Sequence, residues 1–202
     1  MKRLISVLMT IILISALFTA CASKESNYTT KEKSTPEAAE EVEEKDFEEE
    51  DNFVAEEPTI TGSLKSFNAT TLDGSSFSAD NFSDYDLTVI NFWGTYCGPC
   101  IAEMPELAEF KNDLDSKYNF ITFCIDGDGN KEEAQRIIDE AGLNATVITS
   151  ADGDFIDILN QIEYIPTTIF INSNGDIVGT EIIGGVDDVA QAYQEHIQIA
   201  LS

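Results

Sequence analysis

Basic residues are scarce in this sequence. Its 202 residues contain 11 Lys and Arg against 38 Asp and Glu, a formal net charge of −27. A surface of that charge repels phosphates, so we expect no nucleic acid among the partners. The single histidine, His196, is predicted on the exposed side of a C-terminal helix, and the four cysteines form only one C-x-x-C pair. Zinc bound through that pair would need two further ligands, so we expect neither a metal site nor a separate cofactor.

The only long apolar run lies at the N-terminus. Lys2 and Arg3 precede it, and Leu4 to Ala20 is short for a tilted membrane span, so residues 1–20 are predicted to be a signal peptide. Phe18-Thr19-Ala20-Cys21 resembles a bacterial lipobox, in which Cys21 would be lipidated and become the new N-terminus. Cleavage after Ala22 and retention as an uncleaved anchor are alternatives. Each of these places the rest of the chain outside the cytoplasm.

The next segment, 21–58, differs in composition from everything after it. Residues 22–58 hold 14 acidic residues, four lysines and few large apolar residues, so they cannot bury enough surface to offset their ordering entropy. We interpret this segment as a lipidated N-terminus with a disordered acidic tether, with an acidic docking tail as the alternative. Residues 59–202 are predicted to form one folded domain, which keeps 24 acidic and 5 basic residues.

The candidate chemistry lies where an apolar strand meets a helix. Leu87 to Trp93 is typical of a strand buried on both faces, and after a short turn Cys97-Gly-Pro-Cys100 opens a helical pattern. Free amides and the positive dipole end of a helix N-terminus stabilise a thiolate placed there. The spacing therefore predicts Cys97 as nucleophile and Cys100, one turn further in, as the resolving thiol.

The segment 88–105 resembles the active-site segment of thioredoxin-like proteins, in particular their membrane-tethered TlpA/ResA branch. The core W-G-T-Y-C-G-P-C is common to thioredoxins at large, whereas Asn91 and the pair Glu103-x-Pro105 point to the branch. The resemblance implies an α/β thioredoxin-like fold, with a central mixed sheet flanked by helices and an N-terminal β-hairpin extension. It also implies that Glu103 tunes the cysteine pair, although an acid in the first turns of a helix is favourable for the dipole alone.

The remaining elements are predicted from local patterns. Two alternating runs about Asp73-Gly74 indicate a hairpin, and Asp126-Gly-Asp128 begins like a calcium loop but lacks the required glycine and closing glutamate. Cys124 is interpreted as a small core residue. The predicted strands are 119–125, 146–149, 167–172 and 176–183, and the predicted helices are 131–141, 154–161 and 187–201.

The second motif is Tyr164-Ile165-Pro166, directly before an apolar strand. The residues alone indicate a turn proline with a trans peptide bond. The thioredoxin-like resemblance instead implies a cis Pro166 beside the cysteine pair, with the backbone of Ile165 paired to an extended substrate. It assigns substrate contacts to Trp93, Tyr96, Ile165 and Pro166.

The resemblance implies a membrane-anchored extracytoplasmic thiol-disulfide oxidoreductase that works as a reductant. Expected partners are disulfide-containing exported proteins, as in cytochrome c maturation, and a membrane thiol electron donor of the CcdA type; the protein is expected to be a monomer. A thiol-dependent peroxidase is an alternative, but Gly94-Thr95-Tyr96 lacks the Pro and Thr that normally precede a peroxidatic cysteine. A copper-binding thioredoxin-like lipoprotein is another alternative, which lacks an evident third ligand for Cu(I).

Overall fold

A computed structural model describes residues 58–202. The predicted signal peptide, Cys21 and most of the acidic tether lie outside the described residues. Within 58–202, no helix is long and apolar enough to cross a membrane. The strands are β1 (Asn68–Thr71), β2 (Ser76–Ser78), β3 (Leu87–Trp93), β4 (Tyr118–Cys124), β5 (Thr146–Ala151), β6 (Thr167–Asn172) and β7 (Ile182–Ile183). The helices are α1 (Gly98–Asp113), α2 (Lys131–Ala141), α3 (Asp154–Leu159) and α4 (Val189–Ala200).

All seven strands form one mixed sheet in the order β2-β1-β5-β4-β3-β6-β7. The three central strands β5, β4 and β3 are parallel, and β6 returns antiparallel to β3. The predicted hairpin of β1 and β2 is confirmed, and it extends the sheet by pairing β1 antiparallel to β5. The predicted mixed sheet with flanking helices is therefore confirmed.

The middle strand β3 is buried along its whole length because the sheet is covered on both faces. Val89 and Trp93 join the core beneath α1, α2 and α4, whereas Ile90 and Phe92 join the core beneath α3 and the N-terminal segment. This alternation explains why the sequence of β3 is apolar without a period of two. Its carboxyl end, and with it the turn to α1, is held between two packed layers.

One predicted strand is wrong over most of its length. The run 176–183 was expected to pair with β6 throughout, but only a single bridge, between Ile171 and Ile177, precedes the two-residue strand β7. Gly179 adopts a φ of 70°, and a Cβ on it would lie 2.9 Å from Cα of Ala200. Because the chain bends there against the end of α4, it cannot stay extended.

Candidate active site

The two cysteines of the C-x-x-C motif are joined by a disulfide at the start of α1. Cys97 is the N-cap residue of the helix, and its Sγ accepts a hydrogen bond from the amide of Cys100 at 3.2 Å. The S–S distance is 2.01 Å and the Cα atoms are 5.3 Å apart. Cys97 is 7% exposed and Cys100 only 1%, so the outer sulfur is that of Cys97. In the reduced state, the same amide would favour a thiolate on Cys97.

The Tyr164–Thr167 segment lies beside this disulfide, as the thioredoxin-like resemblance implies. The Ile165–Pro166 peptide bond is cis, and the carbonyl oxygen of Ile165 lies 3.7 Å from Cys97 Sγ. Pro166 is buried, Ile165 is half-buried and Tyr96 is 70% exposed. Three of the predicted substrate-contact residues, Tyr96, Ile165 and Pro166, therefore lie on the two segments that meet at the reactive sulfur.

Trp93, the fourth residue predicted to contact substrate, is buried. Its side chain has no exposed surface, and its Nε1 donates a hydrogen bond to Thr122 Oγ1 at 3.2 Å. The indole lies within the core in this arrangement, and the substrate contact of Trp93 stays a prediction. It packs in the same hydrophobic cluster as both cysteines, so it supports the active-site turn from inside.

Asp126 holds the turn that leads into Cys97, a role that the sequence reasoning missed. Its carboxylate accepts hydrogen bonds from the amide of Thr95 at 2.9 Å, from the hydroxyl of the same residue, and from Nδ2 of Asn130 at 3.1 Å. Burial raises the pKa of Asp126, but the hydrogen bonds from Thr95 outweigh it and the pKa is lowered. Thr95 and Asp126 follow neighbouring parallel strands, β3 and β4, whose carboxyl ends meet at one edge of the sheet. That shared edge is the sequence feature from which this contact could have been predicted.

Glu103 lies buried in α1, one turn beyond Cys100. It is 7% exposed, and its Oε2 has no hydrogen-bond partner among the described residues. A Cβ on Gly185 would lie 3.9 Å from this oxygen, so the loop after β7 passes close to it. Desolvation, and secondarily repulsion from Glu106, raises the pKa of Glu103 to about 7. A carboxyl group of that pKa can take up or release a proton near neutrality.

A buried polar network lies behind the site. Asn91 Nδ2 donates to Thr168 Oγ1 at 3.1 Å and to the hydroxyl of Tyr193 at 3.2 Å, and the two hydroxyls are 2.7 Å apart. Burial, and then the negative charge of Glu103, raises the pKa of Tyr193. Tyr193 therefore stays a neutral phenol, and the sequence reasoning gave no sign that α4 would contribute to this region.

The other residues with metal-binding chemistry lie apart from one another. The predicted exposed position of His196 is wrong: the ring is half-buried, stacks on Phe170, and its Nδ1 lies 2.9 Å from the carbonyl oxygen of Thr180. Cys124 is buried and unpaired, and burial followed by the hydrogen bond to Asp126 raises its pKa to about 12. Over residues 58–202, no group of three or more His, Cys, Asp or Glu side chains is placed to hold a metal ion.

Comparison with known proteins places this site in a family. The model of the family described as Redoxin matches residues 57–195. The thiol-disulfide oxidoreductase ResA of Halalkalibacterium halodurans is 30% identical over 109 residues, which are 54% of this chain and 61% of the relative. The ResA of Oceanobacillus iheyensis is 36% identical over 97 residues, 48% of each chain. The chain thus spans about half to three-fifths of the length of these two relatives.

A solved structure gives the same fold. A thiol:disulfide interchange protein of the thioredoxin family from Chlorobium tepidum superposes with a TM-score of 0.57 at 21% identity, covering 70% of this chain and 97% of that one. At this identity the likeness concerns the fold alone, and it confirms the predicted thioredoxin-like fold. Because the Redoxin match covers more than half of the sequence, and ResA proteins are among its relatives, the chain belongs to the redoxin family as a thioredoxin-like protein of the TlpA/ResA type.

Proposed function

We propose that this protein is a thiol-disulfide oxidoreductase that reduces disulfides in exported proteins while anchored to the outer face of the cell membrane. The observation that carries the activity is the Cys97–Cys100 disulfide at the first turn of α1, with its outer sulfur beside the Ile165–Pro166 segment. The two ResA relatives are thiol-disulfide oxidoreductases by name, which supports the same activity. The Gly98-Pro99 pair between the cysteines, as in thioredoxins, favours the reducing direction.

The proposed reaction begins from the reduced pair. The Cys97 thiolate attacks one sulfur of the substrate disulfide, forms a mixed disulfide and releases the other substrate sulfur, which takes up a proton. Cys100 then loses its proton and its thiolate attacks Cys97 Sγ, which releases the second substrate thiol. Two electrons pass from the protein dithiol to the substrate, and the Cys97–Cys100 bond forms. A membrane thiol donor of the CcdA type would reduce it again.

Glu103 is proposed to accept the proton that Cys100 loses. Its position on α1, its burial and its raised pKa of about 7 support this role, because a proton acceptor works best when its pKa lies near the working pH. When ionised, the same carboxylate opposes a negative charge on the nearby thiols. Glu103 would therefore couple thiolate formation to the pH outside the cell.

The substrate is proposed to bind as an extended segment beside Pro166. The carbonyl oxygen of Ile165 lies at the disulfide and is free to accept a strand-like hydrogen bond from such a segment. Tyr96 and Ile165 then contact the substrate side chains that flank its cysteine. The proposal includes a monomer as the working unit and no bound cofactor beyond the cysteine pair.

The proposed direction can be tested by measuring the reduction potential of the cysteine pair. Equilibration of the full chain with a glutathione or dithiothreitol couple should give a value nearer the roughly −270 mV of thioredoxin than the roughly −120 mV of a strong oxidant. A value near the oxidant end would reverse the assigned direction. Failure of the protein to reduce insulin disulfides would remove the activity itself.

The proposed anchor can be tested at Cys21. In a bacterial host grown with labelled palmitate, we expect the wild-type chain to carry the label and the Cys21→Ala variant to carry none, because the variant lacks the thiol that would be acylated. The matched control is Cys124→Ala, which removes a buried thiol inside the folded domain. A wild-type chain without label, or equal labelling of wild type and Cys21→Ala, would contradict lipidation at Cys21.

A further inference from the structure

Exposed apolar side chains concentrate around the disulfide. Among residues 58–202, six large hydrophobic side chains are exposed, and three of them lie on or next to the segments that carry Cys97 and Pro166: Tyr96 at 70%, Tyr164 at 66% and Ile183 at 53%. Tyr96 directly precedes Cys97, Tyr164 directly precedes the Ile165–Pro166 pair, and Ile183 lies in β7. We call these three side chains, together with Ile165, the apolar strip.

Backbone contacts hold the parts of the apolar strip together. A Cβ placed on Gly94 would lie 3.1 Å from the ring of Tyr96 and 3.3 Å from Cδ1 of Ile165, so these two side chains are neighbours. On the other side, Ile183 pairs with Thr167, and the amide of Gly184 donates to the Pro166 carbonyl at 2.8 Å. An extended segment that follows Ile165 would therefore place side chains over the strip.

The charges carried by the segments that form the strip are all negative. Glu163 precedes Tyr164, and Asp187 and Asp188 follow the loop after β7. All three are exposed, and we call them the acidic border. The segments 66–110 and 137–202, which form the strip, contain no Lys or Arg. Lys131 follows the loop whose Asp126 holds Thr95, and there it is paired with Asp128 at 3.5 Å. Four of the five basic residues of the folded domain are in ion pairs with nearby acids: Lys65, Lys117, Lys131 and Arg136. The segments that form the strip thus offer an acidic partner no basic side chain, and the paired bases elsewhere are partly neutralised by their own acids.

We propose that the apolar strip and its acidic border select the polypeptide that is reduced: an extended, positively charged segment with an aromatic or large aliphatic residue beside its disulfide cysteine. The inference rests on the proposed oxidoreductase function and names its substrate class. The apolar residue fills the strip, and Lys or Arg residues further along face the carboxylates. The same border repels acidic segments, which makes the selection one of charge as well as of shape.

The test uses the reduced full chain and a matched set of disulfide-bonded peptides. Each peptide carries Phe or Ser next to its cysteine, and Lys, Gln or Glu at the flanking positions. At low ionic strength, we expect the Lys peptide with Phe to be reduced at least about tenfold faster than the Glu peptide with Phe. The difference should nearly vanish at about 1 M salt, where the Debye length is about 3 Å. Replacing Phe by Ser should slow reduction at either salt concentration.

Two variants with the same change in net charge distinguish a local effect of the acidic border from an effect of the total charge. Glu163→Lys should lower the Lys-over-Glu preference by about threefold or more. Asp84→Lys changes the net charge equally, but Asp84 precedes β3 and lies about 20 Å from the site, at the opposite end of that strand, so it should have a smaller effect. Equal effects of both variants, or equal reduction of all peptides, would overturn the inference and leave the proposed function intact. Reduction of none of the peptides would overturn the proposed function and the inference with it.

Discussion

Replacing Cys97 by serine is expected to lower the rate of insulin disulfide reduction by about 10³-fold or more, because the attacking thiolate is removed. The position of its sulfur supports this expectation: Cys97 is the more exposed of the two cysteines, and its Sγ accepts the first-turn amide of Cys100. The measurement is the turnover of the full chain with dithiothreitol as electron donor.

Replacing Cys100 by serine separates attack from resolution. The Cys100→Ser variant should still attack the substrate, but the mixed disulfide should accumulate, since the second thiol is missing. It would be seen as a covalent adduct on a gel without reductant. The matched control is Cys124→Ala: this thiol is fully buried, with a pKa raised to about 12, so turnover should stay within about twofold of wild type. Loss of turnover in Cys124→Ala equal to that in Cys97→Ser would contradict the assignment of the nucleophile.

Glu103→Gln is expected to remove a pH dependence of stability. In the folded, oxidised protein the Glu103 carboxyl has a pKa of about 7, against an ordinary value of 4.5. Below pH 4.5 this carboxyl group is protonated in both the folded and the unfolded state, so it does not lower the free energy of unfolding. As the pH rises towards 7, the unfolded chain loses the proton first, and the free energy of unfolding falls. Above pH 7 the free energy of unfolding levels off, after a total decrease of about 3 kcal/mol.

Urea unfolding of the oxidised protein between pH 5 and pH 8 measures this effect. The free energy of unfolding of Glu103→Gln, relative to wild type, should rise by about 2 to 3 kcal/mol over this range, because only the wild type pays for ionising a buried carboxyl. Glu109→Gln, an exposed acid on the same helix, should keep the wild-type dependence. A difference between Glu103→Gln and wild type that stays constant with pH would show that Glu103 titrates as an ordinary carboxyl group.

The local sequence predicted the parts of the site that local rules govern. The bounds of β3 and α2, the cysteines at a helix start, and the proline before β6 follow from apolar runs, capping and turn chemistry within a few residues. The hairpin about Asp73-Gly74 was predictable for the same reason. The thioredoxin-like resemblance added the cis state of Pro166, which the residues alone did not indicate.

The long-range contacts of the site could not be predicted in this way. Thr95 and Asp126 are separated by 31 positions, and Asn91 and Tyr193 by 102, so no periodicity connects them. The burial of Trp93 depends on helices packed against its face of the sheet, and that of Glu103 on a loop that follows β7. An aromatic or acidic residue beside a reactive motif therefore indicates proximity to the reaction, but not whether its side chain reaches solvent.

The two outermost strands of the sheet are short, which limits how copies of this protein can pair with one another at high concentration. β2 has three residues and β7 has two, so each free edge offers only a few unpaired amides and carbonyls. A short edge gives a second copy too little backbone to pair with, which hinders growth of a continuous intermolecular sheet. Many copies can thus be packed side by side at high local density and remain separate folded units.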